Sequence, residues 1–138
     1  MSTKIYKEDA IRQMTLLFLP THTPSYNWLV EKGHRELIET SEFIKFGNEK
    51  RFQWILDQKF FVLAAFINAI DGNKKAFRWL MENKYIIWAA TANAVNKDTK
   101  AMIWLRKNNF TAYAELAQAI IEFGKTDNSD ITGYYKGP

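Results

Sequence analysis

Trp54, Trp79 and Trp104 stand 25 residues apart, and a period of that size limits the chain to copies of one supersecondary unit, each burying its apolar face against the next. Three blocks show it: GNEKRFQWILDQKFFVLAAFINAID from Gly47, GNKKAFRWLMENKYIIWAATANAVN from Gly72, and KDTKAMIWLRKNNFTAYAELAQAII from Lys97. Lys50, Lys75 and Lys100 share a column, as do Ile55, Leu80 and Leu105; Phe60, Tyr85 and Phe110; Ala64, Ala89 and Ala114; Ala69, Ala94 and Ala119; and Asn68, Asn93 and Gln118. A degraded earlier copy, YNWLVEKG from Tyr26, matches FQWILDQK from Phe52 at a spacing of 26, so one extra residue lies between Trp28 and Gly47.

Each block reads as two helices. In NKKAFRWLMENK, Ala76, Phe77, Leu80 and Met81 follow helical spacing on one face, with Lys74, Lys75, Arg78 and Glu82 opposite. The following YIIWAATANAV is apolar nearly all round and rich in alanine, which suits a helix buried on most sides and approached closely by its neighbours. Gly47, Gly72, Asp71, Asn73, Asn96 and Asp98 at the joins suit helix ends and starts. Thr23 is the expected N-cap of the first outer helix, with Pro24 at its first position, and RELIETSEFIKF from Arg35 is its inner partner. A further helix over roughly residues 7–18 caps the amino-terminal side, and no stretch alternates as a strand would. With 47% hydrophobic residues, 138 residues support one real core. The expected fold is all-α: an α-α solenoid of about four stacked helix pairs over residues 1–123, piled into an elongated rod. From Gly124 to Pro138 the sequence is polar and turn-rich and reads as a tail that is loose unless it docks.

The wording of the helix pairs resembles ankyrin repeats. GNKKAFRWLMENKY and GNEKRFQWILDQKF are similar to the ankyrin turn and the helix after it, and Thr23-Pro24 with Gly33-His34-Arg35-Glu36-Leu37 is similar to the Thr-Pro opening and Gly-His turn. The resemblance covers residues 23–121. It implies stacked helix pairs acting as a binding scaffold, because ankyrin repeats mostly bind proteins through their fingers and inner helices. A 25-residue period is shorter than the ankyrin period of about 33 and leaves no room for the β-turn fingers. In the ankyrin register residues 26–32 would form an inner helix; the tryptophan column makes them outer.

Several functions find no support in the residues. With no cysteine, there is no disulfide framework, cysteine-based zinc site or thiol nucleophile. Glu31 and His34 have a Glu-x-x-His spacing, but di-iron helical sites need it twice with further carboxylates, so a surface turn is expected. Gly124-Lys125-Thr126 ends like a phosphate loop but has Ala119 where the first glycine belongs and helix before it. Asn109-Phe110-Thr111 has the form of a glycosylation acceptor, which matters only in a secreted chain. The amino terminus lacks a clean secretory signal, and the longest apolar run has 11 residues, against the roughly 20 a membrane span needs. The expectation is a cytoplasmic, non-enzymatic protein without metal, cofactor or membrane partner.

Two columns are the candidate contact surfaces. Lys50, Lys75 and Lys100, with Arg78 and Lys107 nearby, form a basic ladder on the outer helices, in a stretch from Lys45 to Lys107 with 12 Lys or Arg against 5 Asp or Glu. Such a ladder suits a phosphate backbone. Asn68, Asn93 and Gln118 carry polar amides in otherwise alanine-rich helices and suit either a bond to a neighbouring helix end or a wet, partner-lined groove. The indoles of the tryptophan column are expected to fill the seam between units. The reading is a protein–protein interaction scaffold; a helical-repeat binder of nucleic acid is the alternative.

Overall fold

In a computed structural model the chain is described over residues 4–131, with side chains to Lys125. Of the stretch read as a tail, residues 124–131 continue the last helix and residues 132–138 lie outside those described. Among those described there are nine helices and no strand: α1 (Glu8–Leu16), α2 (Thr23–Glu31), α3 (Arg35–Phe46), α4 (Glu49–Asp57), α5 (Phe61–Ile70), α6 (Lys74–Glu82), α7 (Ile86–Val95), α8 (Thr99–Lys107) and α9 (Thr111–Ile131). No described helix is long and apolar enough to cross a membrane.

The 25-residue spacing reappears as local geometry. Asn48, Asn73 and Asp98 cap α4, α6 and α8 by accepting backbone N–H bonds from Lys50, Ala76 and Lys100 respectively, which satisfies donors a helix start leaves free. The other ends close by a left-handed residue, at Gly33, Lys59, Lys84 and Asn109 after α2, α4, α6 and α8, and at Gly47, Gly72 and Lys97 after α3, α5 and α7. Past each left-handed residue of the first set, the backbone N–H of His34, Phe60, Tyr85 or Phe110 returns to the carbonyl of Leu29, Ile55, Leu80 or Leu105. The aromatic ring placed there stacks on the tryptophan six residues earlier: Trp28 on His34, Trp54 on Phe60, Trp79 on Tyr85 and Trp104 on Phe110, with centroids 6.1, 6.2, 5.8 and 5.8 Å apart. The indoles therefore brace their own turn; Trp54 and Trp79 are half-buried and Trp104 is exposed. The four-fold recurrence puts α2 in register with α4, α6 and α8, as the tryptophan column requires.

Burial divides the helices into two kinds. Leu29, Ile55, Leu80 and Leu105 are fully buried, and each is the one large buried side chain of its helix, so α2, α4, α6 and α8 are peripheral. Leu63, Ala64, Phe66, Ile67 and Ala69 of α5, and Trp88, Ala89, Thr91, Ala92 and Ala94 of α7, form the interior. At the first peripheral helix the cap differs from expectation: His22, not Thr23, is the N-cap, without a side-chain bond, and Thr23 and Pro24 open the helix.

The row of helices does not extend as a rod. Interior helices contact one another in order, α3 with α5, α5 with α7 and α7 with α9, and then α9 packs on α1, which also touches α3. Arg12 reaches Glu115 at 3.3 Å, and the rings of Phe18 and Phe123 meet at 6.0 Å. The first and last helices thus bury apolar side chains against one another, Ile11 and Met14 of α1 and Leu116 and Ile120 of α9 all belonging to one core.

Candidate interaction surfaces

The basic column keeps its register. Lys50, Lys75 and Lys100 are the second residues of α4, α6 and α8, all exposed, and Arg78 lies one turn further along α6. Lys107 ends α8, about 10 Å along the axis from Lys100, so it stands at the other edge of the layer. Among the described residues none of these five bases reaches a carboxylate; the ion pairs are made by Lys4, Arg12, Arg35, Lys45, Arg51 and Lys125, with His34 near Glu36.

The amide column separates into three environments. Asn68 is exposed, Asn93 is half-buried in the wall of a groove of about 560 Å³, and Gln118 is exposed and donates to Glu122 at 2.8 Å. The bond to a neighbouring helix end is made instead by Asn96, whose carboxamide donates to the Ala69 carbonyl at 3.2 Å and ties α7 to α5. The groove beside Asn93 is lined by apolar Ala69, Phe77 and Met81 and by the exposed bases Lys74 and Arg78. It therefore joins one member of the amide column to one of the basic set.

A second surface lies around Phe46, at the end of α3. Its ring is 58% exposed and edges Phe123 of α9 at 6.2 Å. On one side a groove of about 590 Å³ carries Tyr26, Val30 and Ile38; on the other, one of about 580 Å³ carries Phe18, Leu19 and Phe123. His22, Lys45 and Phe46 line both. Leu19, Tyr26, Val30 and Phe46 are all exposed, with acids Glu39, Glu42, Glu115 and Glu122 and bases Arg35, Arg51 and Arg106 around them, an apolar patch with a polar rim. Sequence reasoning missed this face. Its one signal is that Phe46, just before Gly47, stands where the later blocks carry Asp71 and Asn96.

Beneath these surfaces α3 holds buried charge. The Glu36 carboxylate accepts from Lys4 Nζ at 2.6 Å and from the Tyr6 hydroxyl at 2.7 Å, and Lys4 also donates to the Gly33 carbonyl at 2.9 Å. Burial, and then the bond to Glu36, push the Tyr6 hydroxyl pKa well up, so it stays a donor. His34 sits between the rings of Tyr6 and Trp28. Its Nδ1 is buried without a hydrogen-bond partner, 3.9 Å from Glu36. Burial lowers its pKa below 6.5, helped by the Lys4 charge and opposed by Glu36. At the far end of α3, Lys45 is buried, donating to the Leu17 carbonyl at 2.8 Å and pairing with Glu42 at 3.3 Å. Beside Lys4, Tyr6 and Trp88 only about 10 Å³ stays open, the space of one water at most. His34 and Glu36 thus serve to fasten the amino-terminal segment onto α3. Compared with known protein families, curated proteins and solved structures, the chain matches none.

Proposed function

We propose that the chain is a fingerless, ankyrin-like α-α solenoid of about four helix pairs, curled end to end, and that it works as a non-enzymatic protein-interaction module. The face around Phe46 carries this reading. Four large apolar side chains from α2, α3 and the α1–α2 loop stand exposed between two grooves, a composition typical of the centre of a protein interface, where aromatic residues supply much of the binding energy. Aspartate or glutamate there would meet an apolar partner surface and leave it unpaired. Affinity capture from the native cell with the wild-type chain and with Phe46→Glu tests it. A partner held by the wild type and lost by the variant, at unchanged melting temperature, is the expected result. An identical captured set from both would overturn the reading.

A further inference from the structure

We propose that the groove between α6 and α7 is a second docking site, taking an acidic polypeptide segment that carries one apolar side chain. The proposal rests on the reading of the chain as a protein-interaction module but uses residues remote from Phe46.

Charge is the first ground. Residues 74–107 hold eight bases, Lys74, Lys75, Arg78, Lys84, Lys97, Lys100, Arg106 and Lys107, against two acids, Glu82 and Asp98. Asp98 is already engaged, accepting from the Lys100 and Ala101 backbone N–H groups. Residues 4–73 hold nine of each sign, and most of the ion pairs fall there. Among the described residues no ion pair involves any of the eight bases. Their mutual repulsion is relieved by an acidic partner.

The groove is the second ground. Its volume of about 560 Å³ falls in the range of roughly 300–1,000 Å³ that suits a small ligand or a few residues. Its walls are fixed, since Asn73 is spent on capping α6 and Asn96 is tied to the Ala69 carbonyl. Asn93 is left with its carboxamide in the wall and, among the described residues, no side-chain hydrogen bond. A carboxamide both donates and accepts, which matches a peptide unit. Met81 and Phe77 seat an apolar side chain, and Arg78 and Lys74 meet carboxylates on either side.

A phosphodiester backbone fits less well. It offers acceptors only, it has no use for apolar lining residues, and the bases lie at both ends of α8, Lys100 and Lys107, rather than on one track.

The test uses the full chain and a fluorescein-labelled twelve-residue peptide of Asp and Glu around one central leucine, titrated by anisotropy. Comparison ligands are the same peptide with serine for leucine, a neutral peptide with the leucine, and twelve-nucleotide single-stranded DNA and RNA. The acidic leucine peptide is expected to bind most tightly and to weaken with added salt. Arg78→Glu should weaken it about tenfold, and Met81→Ser should erase the preference for leucine over serine. Lys74→Glu guards against misfolding, because an acid in the first turn of α6 favours the helix, and it should weaken binding in the same sense. Equal binding of the acidic and neutral peptides, or binding indifferent to Arg78→Glu and Lys74→Glu, would overturn the proposal. Tighter binding of the nucleic acids than of the peptide would overturn it in favour of a phosphate ligand. Phe46→Glu should leave peptide binding unchanged. Loss of peptide binding with Phe46-dependent capture intact would sink this site alone.

Discussion

Helix α3 and helices α5 and α7 occupy equivalent positions in the curled row, yet they are held by opposite means. In α5 and α7 the interior face is almost wholly apolar, with Phe66 and Trp88 set among buried Ala64, Ala69, Ala89, Ala92 and Ala94 and Thr91 the one buried polar residue, so that packing supplies the adhesion. In α3 the buried set includes Glu36, Glu39, Thr40, Ser41 and Lys45, and adhesion comes from charge-assisted bonds to Lys4, Tyr6, Arg51 and the Leu17 carbonyl. The change lies in residue type rather than in which positions face inward. From His34 to Gly47 is 13 residues, whereas from Phe60 to Gly72 and from Tyr85 to Lys97 is 12, so the addition lies within α3. Counted from those turn residues, buried Leu37, Ile38, Thr40 and Ser41 stand where α5 buries Leu63, Ala64, Phe66 and Ile67, so the inward positions are unchanged. Polar side chains at those positions must be bonded.

If α3 is held by bonds, removing one buried partner should cost most. Glu36→Ala leaves the Tyr6 hydroxyl without its acceptor and Lys4 without its carboxylate. Removing one member of a buried pair costs roughly 3–5 kcal/mol, and Lys4 retains partial exposure through which water screens it. A loss of about 3 kcal/mol in urea unfolding is expected. A loss under about 1 kcal/mol would mean that the amino-terminal segment is not fastened through Glu36.

If α7 is held by close packing, enlarging an alanine should hurt there. Ala89 is fully buried in the core, and Ala89→Leu forces extra methylenes against the helices packed on α7 at a cost of about 2 kcal/mol. The melting temperature should fall accordingly. A neutral outcome would place slack, rather than tight contact, between the interior helices.

The division also explains what could be read in the sequence. Caps and left-handed turns are local, so Asn73, Asp98, Gly47 and Gly72 marked helix ends from their residue types alone, and the buried columns of Leu80 and Ala89 followed from helical spacing. Contact between α1 and α9 rests on Phe18 with Phe123 and Arg12 with Glu115, pairs about a hundred residues apart that no periodicity announces. Glu36 and Lys45 were unreadable as interior residues because a charged residue by itself signals solvent. The face around Phe46 escaped notice because it is made where the columns break.

The first turn offers a finer probe. His34 occupies the place held by Phe60, Tyr85 and Phe110 in the later turns, stacked on Trp28 as they are on their tryptophans. His34→Phe removes a buried Nδ1 that has no partner and should gain about 1 kcal/mol at neutral pH. The sign of the pH effect follows from its lowered pKa. Below 6.5 the unfolded chain takes up the imidazole proton more readily than the folded one, so the histidine's share of stability is intact above 6.5 and is lost as the pH falls through its own lower value. The advantage of the phenylalanine variant should therefore widen on acidification. A constant difference across that range would show that His34 is not desolvated in the fold.

The smallest effect sharpens the comparison at the level of one backbone angle. After α2 the left-handed position is Gly33, but after α4 and α6 it is Lys59 and Lys84, with φ of 64° and 68°. A side chain in that region costs roughly 1–2 kcal/mol, partly offset by the greater freedom that glycine has in the unfolded chain. Lys84→Gly should thus stabilise the chain by about 0.5 kcal/mol, and Gly33→Lys should destabilise it by a similar amount, both read as midpoints in denaturant at constant slope. The two substitutions exchange the residue types of equivalent turns, so equal and opposite shifts are expected if the turns are built alike. A Gly33→Lys loss several times the Lys84→Gly gain would show that the turn before α3, where the Gly33 carbonyl also receives Lys4, depends on its neighbours in a way the later turns do not.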